Sequence, residues 1–257
     1  MSSIFTTDHH GHYTLDQLPV ELVVHIMKAS PSLSALWSFI NASARLAGIF
    51  RGSALEITEA VLRCTVPDQT QVFLRAVIQL RSSLFPPSLD AATRPATLGN
   101  PLGPAPATTP EILRSFILLA HRIHALAHEC IEHYIKTCMA MNPSYLDDPT
   151  FRGYNSGYPL LPVHLKRPKG RPYQPKDTGP PSWAEEQLVI WNLWRVQYYY
   201  DIRAAHDVGR LEWSVAEQEE LLSMTLPEFY RLVGMWRLGT LYPLTICITR
   251  FPRTLGP

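Results

Sequence analysis

At 257 residues the chain has room for one large domain or two small ones, and either can bury a real core. Hydrophobic residues at 46% against charged residues at 18% exclude a disordered, charge-dominated polymer. A formal net charge of +1 excludes whole-chain steering toward nucleic acid or an anionic membrane, so any such contact has to come from a local patch.

Residues 1–14 are polar and carry His9, His10 and His12, without the charged start and apolar run of a secretory signal. They read as a flexible tail, whose histidines offer at most weak metal binding. Residues 15–50 then turn amphipathic. Pro19 stands where a helix begins, and Glu21 falls in its first turn, toward the positive end of the helix dipole. Leu22 and Ile26 follow four apart on one face. Pro31 ends that helix, because the residue before a proline avoids the α region. A second helix is expected to carry Leu33, Leu36, Trp37, Ile40, Leu46 and Phe50 at helical spacing, which completes a helical hairpin.

This hairpin resembles the F-box, whose hallmark is Leu-Pro-x-Glu-Leu followed four residues later by an aliphatic. Those positions are Leu18, Pro19, Glu21, Leu22 and Ile26 here. The second half departs from the pattern: Asn41-Ala42-Ser43-Ala44-Arg45-Leu46, leading to Ile49 and Phe50, stands where a valine and a tryptophan are usual. The variant is similar to filamentous-fungal F-box-like proteins, and more loosely so through residues 71–76 and 183–195. The resemblance implies a non-enzymatic interaction protein that docks on the Skp-type adaptor of a cullin–RING ubiquitin ligase and recruits a protein substrate. Carried over, the docking face is Leu18, Pro19, Leu22, Ile26, Leu33 and Leu36, laid into a partner groove. The competing reading makes the same apolar residues core contacts against residues 55–84.

The 23 prolines are uneven. Pro86, Pro87, Pro95, Pro101, Pro104, Pro106 and Pro110 fall within 25 residues, which predicts a linker over 85–108. A second Pro- and Gly-rich stretch predicts an irregular loop over 142–181. Helix-rich blocks lie at about 15–84, 109–141 and 182–244. The expected organisation is thus an F-box-like module over 15–84 and a helical domain over 109–250. Thr108-Thr109-Pro110-Glu111, Ser182 with Glu185, Ser214 with Glu217 and Thr225 with Glu228 supply helix-start signals. Leu113, Phe116, Ile117, Ala120, Ile123, Ala127 and Ile131 form one helical stripe, and Leu188, Trp191, Leu193 or Val196, Tyr199 and Ile202 a second. Strand alternation is nowhere sustained, with residues 244–248 as the one short candidate. The fold class is all-α.

Other constellations read more plainly. His121, His124, His128 and Glu132 share helical spacing, and two histidines four apart can bind zinc with Glu132 as a third ligand. The spacing of His128-Glu129-Cys130-Ile131-Glu132-His133 misses the metalloprotease motif by one residue. Partly exposed histidines beside a core are the expectation, with no metal or other cofactor assigned. Lys169-Gly170-Arg171-Pro172 resembles the core of an AT-hook, whose arginines enter narrow A·T minor grooves. It occurs once, with a lysine before the glycine, so a solvated basic loop or an import patch competes with DNA contact. Trp183, Trp191, Trp194, Trp213 and Trp236 with Tyr198, Tyr199 and Tyr200 read mostly as core. The four cysteines lack Cys-x-x-Cys spacing and read as free thiols in a reducing compartment. No apolar run approaches the roughly 18 residues of a membrane span. A soluble protein of the cytoplasm, the nucleus or both follows. No nucleophile elbow, phosphate loop or dinucleotide fingerprint is present.

Overall fold

The computed structural model describes residues 17–95, 108–141, 144–145, 171–177 and 179–231. The chain is all-α. Helices α1 (Val20–Lys28), α2 (Leu33–Asn41), α3 (Ala44–Gly52), α4 (Ala54–Thr65), α5 (Asp68–Arg81) and α6 (Leu89–Thr93) form the first half. The long α7 (Pro110–Ala140) and α8 (Trp183–Asp207) follow, then the short α9 (Val215–Ser223) and α10 (Leu226–Arg231). Between α7 and α8 the described residues include an antiparallel pair of two-residue strands, β1 (Ser144–Tyr145) and β2 (Arg171–Pro172).

The caps explain where the helices start. Ser32, Ser43, Ser88 and Thr109 each accept the backbone N–H three residues on, satisfying one orphan donor of the first turn. Ser182 and Ser214 form complete capping boxes with Glu185 and Glu217. At the start of α7, Thr109 rather than Thr108 is the cap, so Glu111 falls one position short of the capping-box site.

Two expectations are corrected here. The single second helix of the hairpin is broken in two, because Ser43 takes an extended backbone (φ −155°, ψ 157°) and its side chain caps Leu46 N–H to start α3. Proline-rich residues 85–95 are not a bare linker: they carry α6, whose Leu89 and Ala92 are buried. The N-terminal tail, most of the 142–181 loop, Trp236 and residues 244–248 lie outside the described residues.

The core explains the packing. Every member of the α7 stripe named above is buried. One face of α7 packs along α2, and α8 packs against both α5 and α7. A single hydrophobic cluster runs from Val23 through Leu36, Ile57, Phe73 and Phe116 to Trp194, Tyr198 and Tyr230. The described residues of the 15–84 and 109–250 blocks therefore share one core. Each fully buried aliphatic in it contributes about 1.5–3 kcal/mol. Polar ties fasten the intervening segment around α6 to the C-terminal helices: Tyr198 Oη donates to Ala92 O at 3.1 Å, and Trp213 Nε1 donates to Pro86 O at 2.6 Å. Arg195 is buried against the rings of Tyr230 and Trp191, 4.0 and 4.6 Å from their centroids, and loss of water pulls its pKa down to about 10.

The aromatics follow the expectation with two exceptions. Trp194, Trp213, Tyr198 and Tyr199 are buried and Trp191 half-buried, while Trp183 and Tyr200 are exposed. Leu188, at the head of the α8 stripe, is also exposed. It lies on the first turns of α8, ahead of the stretch from Asn192 to Tyr199 that is continuously buried.

Candidate docking face

Helix α1 sorts its residues into two faces. Val23 and Met27, four apart, are fully buried, and α1 packs against α3 and α4. Leu22 and Ile26 are also four apart but turn outward, 50% and 41% exposed, beside Val20 at 50%. Pro19 is exposed and caps the helix, and Leu18 is half-buried against the core.

The start of α1 is held in place by α3. Arg45 Nη2 donates to the carbonyl of Leu18 at 2.6 Å, so the divergent second half of the signature supports the first. The far end of α1 is tied to α4 by the ion pair of Lys28 with Glu56. A helix tied at both ends thus presents Leu22 and Ile26 to solvent.

The carried-over docking residues separate into three groups. Pro19, Leu22 and Ile26 lie together on the outer face, with half-buried Leu18 at its edge. Leu33 and Leu36 do not join them: at 6% and 0% exposure they belong to the inward face of α2, packed toward α7. The reason is periodicity. Leu33, Leu36 and Ile40 make one stripe, and α7 covers it. Leu33 and Leu36 are thus core residues, as the competing reading has them, with α7 as their main cover, while on α1 the core contacts are made by Val23 and Met27.

The basic segment is divided. Lys169 and Gly170 lie outside the described residues. Arg171 and Pro172 form β2, in register with Tyr145 and Ser144 of β1. Their backbone is therefore committed to a strand pair.

The histidine row on α7 also divides. His121 Nδ1 lies 2.8 Å from Ser34 Oγ, which turns that ring toward α2. Glu132 pairs with Lys136 at 3.3 Å on the exposed surface and does not approach His124 or His128. His124 and His128 face Glu186 of α8 instead.

An open cleft of about 470 Å³ lies between α3–α4 and the start of α7, lined in part by Arg51, Glu56, Glu59, Thr108 and Leu113. Its best-placed carboxylate is engaged: Arg75 grips both oxygens of Glu59, with Nη2–Oε2 at 2.9 Å. No helix among the described residues is long and apolar enough to cross a membrane. In comparisons with known proteins, no family model, no curated protein and no solved structure matches the chain.

Proposed function

We propose that the chain is an F-box-like interaction protein that docks on a Skp-type adaptor of a cullin–RING ubiquitin ligase, its C-terminal helices recruiting a protein substrate. The observation that carries the reading is the outward pair Leu22 and Ile26, half-exposed aliphatics one turn apart beside Pro19. Isolated exposed aliphatics are ordinary on a protein surface. A spaced pair within the Leu18-Pro19-x-Glu21-Leu22 signature, on a helix braced at both ends, is what a helix-in-groove contact requires. Completing the burial of each would contribute roughly 1 kcal/mol, with the remaining affinity left to the rim and to neighbours such as Val20. Leu33 and Leu36 leave the docking face and belong to the core between α2 and α7.

The burial of those two leucines also defines a second reading, in which the hairpin is only architecture and the chain binds some other partner. Co-purification with a fungal Skp-type adaptor separates the two. The adaptor is expected to be retained by wild type and lost by a Leu22→Asp/Ile26→Asp double variant whose helical circular dichroism is unchanged. Retention by the folded double variant, or no retention by wild type, removes the docking reading.

A further inference from the structure

Two histidines and one carboxylate converge on the seam between α7 and α8. His124 and His128 sit four apart on α7, which sets their rings one turn apart and edge to face, with centroids 4.6 Å apart. Glu186 enters from the first turns of α8. Its neighbour Glu185 is spent on the capping box with Ser182, and Glu186, one position on, faces α7.

The distances have a particular pattern. His128 Nε2 lies 3.2 Å from His124 Nε2 and 3.2 Å from Glu186 Oε1, while His124 Nδ1 lies 3.8 Å from the same oxygen. One N–H cannot point at two acceptors at once, so a hydrogen bond from His128 satisfies one neighbour and leaves the other lone pair facing it. A metal ion satisfies all three. Zinc bound at about 2.0–2.1 Å in a tetrahedron sets its donors roughly 3.3 Å apart, and the two shortest separations here already match that edge. One ligand atom from each residue lies within 4.8 Å of the others, a gap that rotation of the side chains closes.

We propose that His124, His128 and Glu186 form a binding site for a divalent first-row transition metal, zinc foremost, that clasps α7 to α8. Imidazole and carboxylate donors suit zinc, and three protein ligands leave a fourth position for water. His124 is half-buried in the seam, while His128 is more open to solvent. The site is independent of adaptor docking. It borders the core-facing stripe of α7 along the seam with α8, and it shares no residue with Pro19, Leu22 or Ile26.

The test is zinc titration of the full chain by isothermal calorimetry, with thermal melts beside it. His9, His10 and His12 are first replaced by alanine, so that the tail's own imidazoles give no background. One equivalent of zinc is expected, with a melting temperature that rises with zinc concentration, since a ligand that binds only the folded state stabilises it. Glu186→Gln and His128→Ala are each expected to weaken binding at least tenfold and to abolish that rise, with helical circular dichroism unchanged. Glu132→Gln, at the carboxylate that helical spacing alone suggests, is expected to leave the titration as it was. Absence of zinc binding in the tail-substituted chain overturns the proposal. So does binding that survives both Glu186→Gln and His128→Ala, or that depends on Glu132.

Discussion

The carboxylate of Glu217 accepts the backbone N–H of Leu89 at 3.2 Å, so one side chain serves the first turns of two helices far apart in sequence. Its other oxygen takes the hydroxyl of Ser214 at 2.7 Å and the Ser214 N–H at 3.1 Å, closing the capping box of α9. These bonds favour the ionised form and hold the Glu217 pKa below its ordinary 4.5, with the Ser214 hydroxyl the largest cause and the Leu89 N–H next. A depressed folded-state pKa gives stability that is present above the unfolded value and lost as pH falls through the folded one. Glu217→Gln is therefore expected to lower the melting temperature at neutral pH, and to lower it progressively less on acidification from about pH 6 to about pH 3. Thermal melts across that range check it. A deficit that stays constant with pH would mean that the charge is irrelevant to the joint.

Leu22 and Leu36 belong to the same signature yet face opposite ways, so their alanine variants should part company. Leu36 is fully buried between α2 and α7, and Leu36→Ala is expected to cost about 2–5 kcal/mol through lost transfer energy and the cavity left behind. Leu22 is half-exposed, and Leu22→Ala should stay within about 0.5 kcal/mol of wild type. Urea unfolding measures both. Comparable losses at the two positions would show that the outer face is packed in solution and unavailable to a partner.

What was legible in the sequence is what local rules decide. The α7 stripe needs only a period of 3.6 without glycine or proline, and the Ser182 and Ser214 boxes need only three residues of spacing. The break at Ser43 was hidden, because Asn41, Ala42 and Ser43 are all tolerated inside a helix and only the competing cap on Leu46 reveals the new start. Helix α6 was hidden by the prolines around it. It holds through distant partners: Trp213 on Pro86, Tyr198 on Ala92 and Glu217 on Leu89. The histidine row is visible in the sequence, but helical spacing offers Glu132, on the same helix, as its carboxylate. Glu186 stands 58 residues beyond His128, and only the packing of α8 on α7 brings it within 3.2 Å. Helical spacing likewise placed Leu33 and Leu36 on a common stripe with no indication that α7 would cover it.

Asp201 works with the opposite sign to Glu217. It is largely buried on α8, and that burial raises its pKa, while Arg81 at 3.6 Å and the Gln197 amide at 2.8 Å pull it back down. A raised folded-state pKa means that stability is fully present below the unfolded value, ordinarily 3.8, and is lost as pH rises through the folded one. Asp201→Asn keeps an acceptor for Gln197 and removes the buried charge. The variant is expected to gain on wild type steadily as pH is raised from about 4 to about 7, read as the difference between paired thermal melts. A variant that falls further behind with rising pH would show that the ion pair with Arg81 outweighs desolvation.

Helix α5 ends in a turn that ordinarily calls for glycine. Ser83 has φ 61°, its N–H donates to Leu80 O at 3.0 Å, and the N–H of Leu84 donates to Gln79 O at 2.9 Å, the paired bonds of a Schellman cap. A side chain in this left-handed region crowds its own backbone, at a cost of about 1–2 kcal/mol, whereas glycine loses roughly 0.5–1 kcal/mol more chain entropy on folding. The first effect is the larger, so Ser83→Gly is expected to stabilise the protein by up to about 1 kcal/mol. Ser83→Ala retains the Cβ and should bring no such gain. Ser83 is exposed, so neither substitution disturbs the core. Equal shifts from glycine and alanine in urea unfolding would assign the effect to the lost hydroxyl, whereas a gain from glycine alone assigns it to the left-handed backbone.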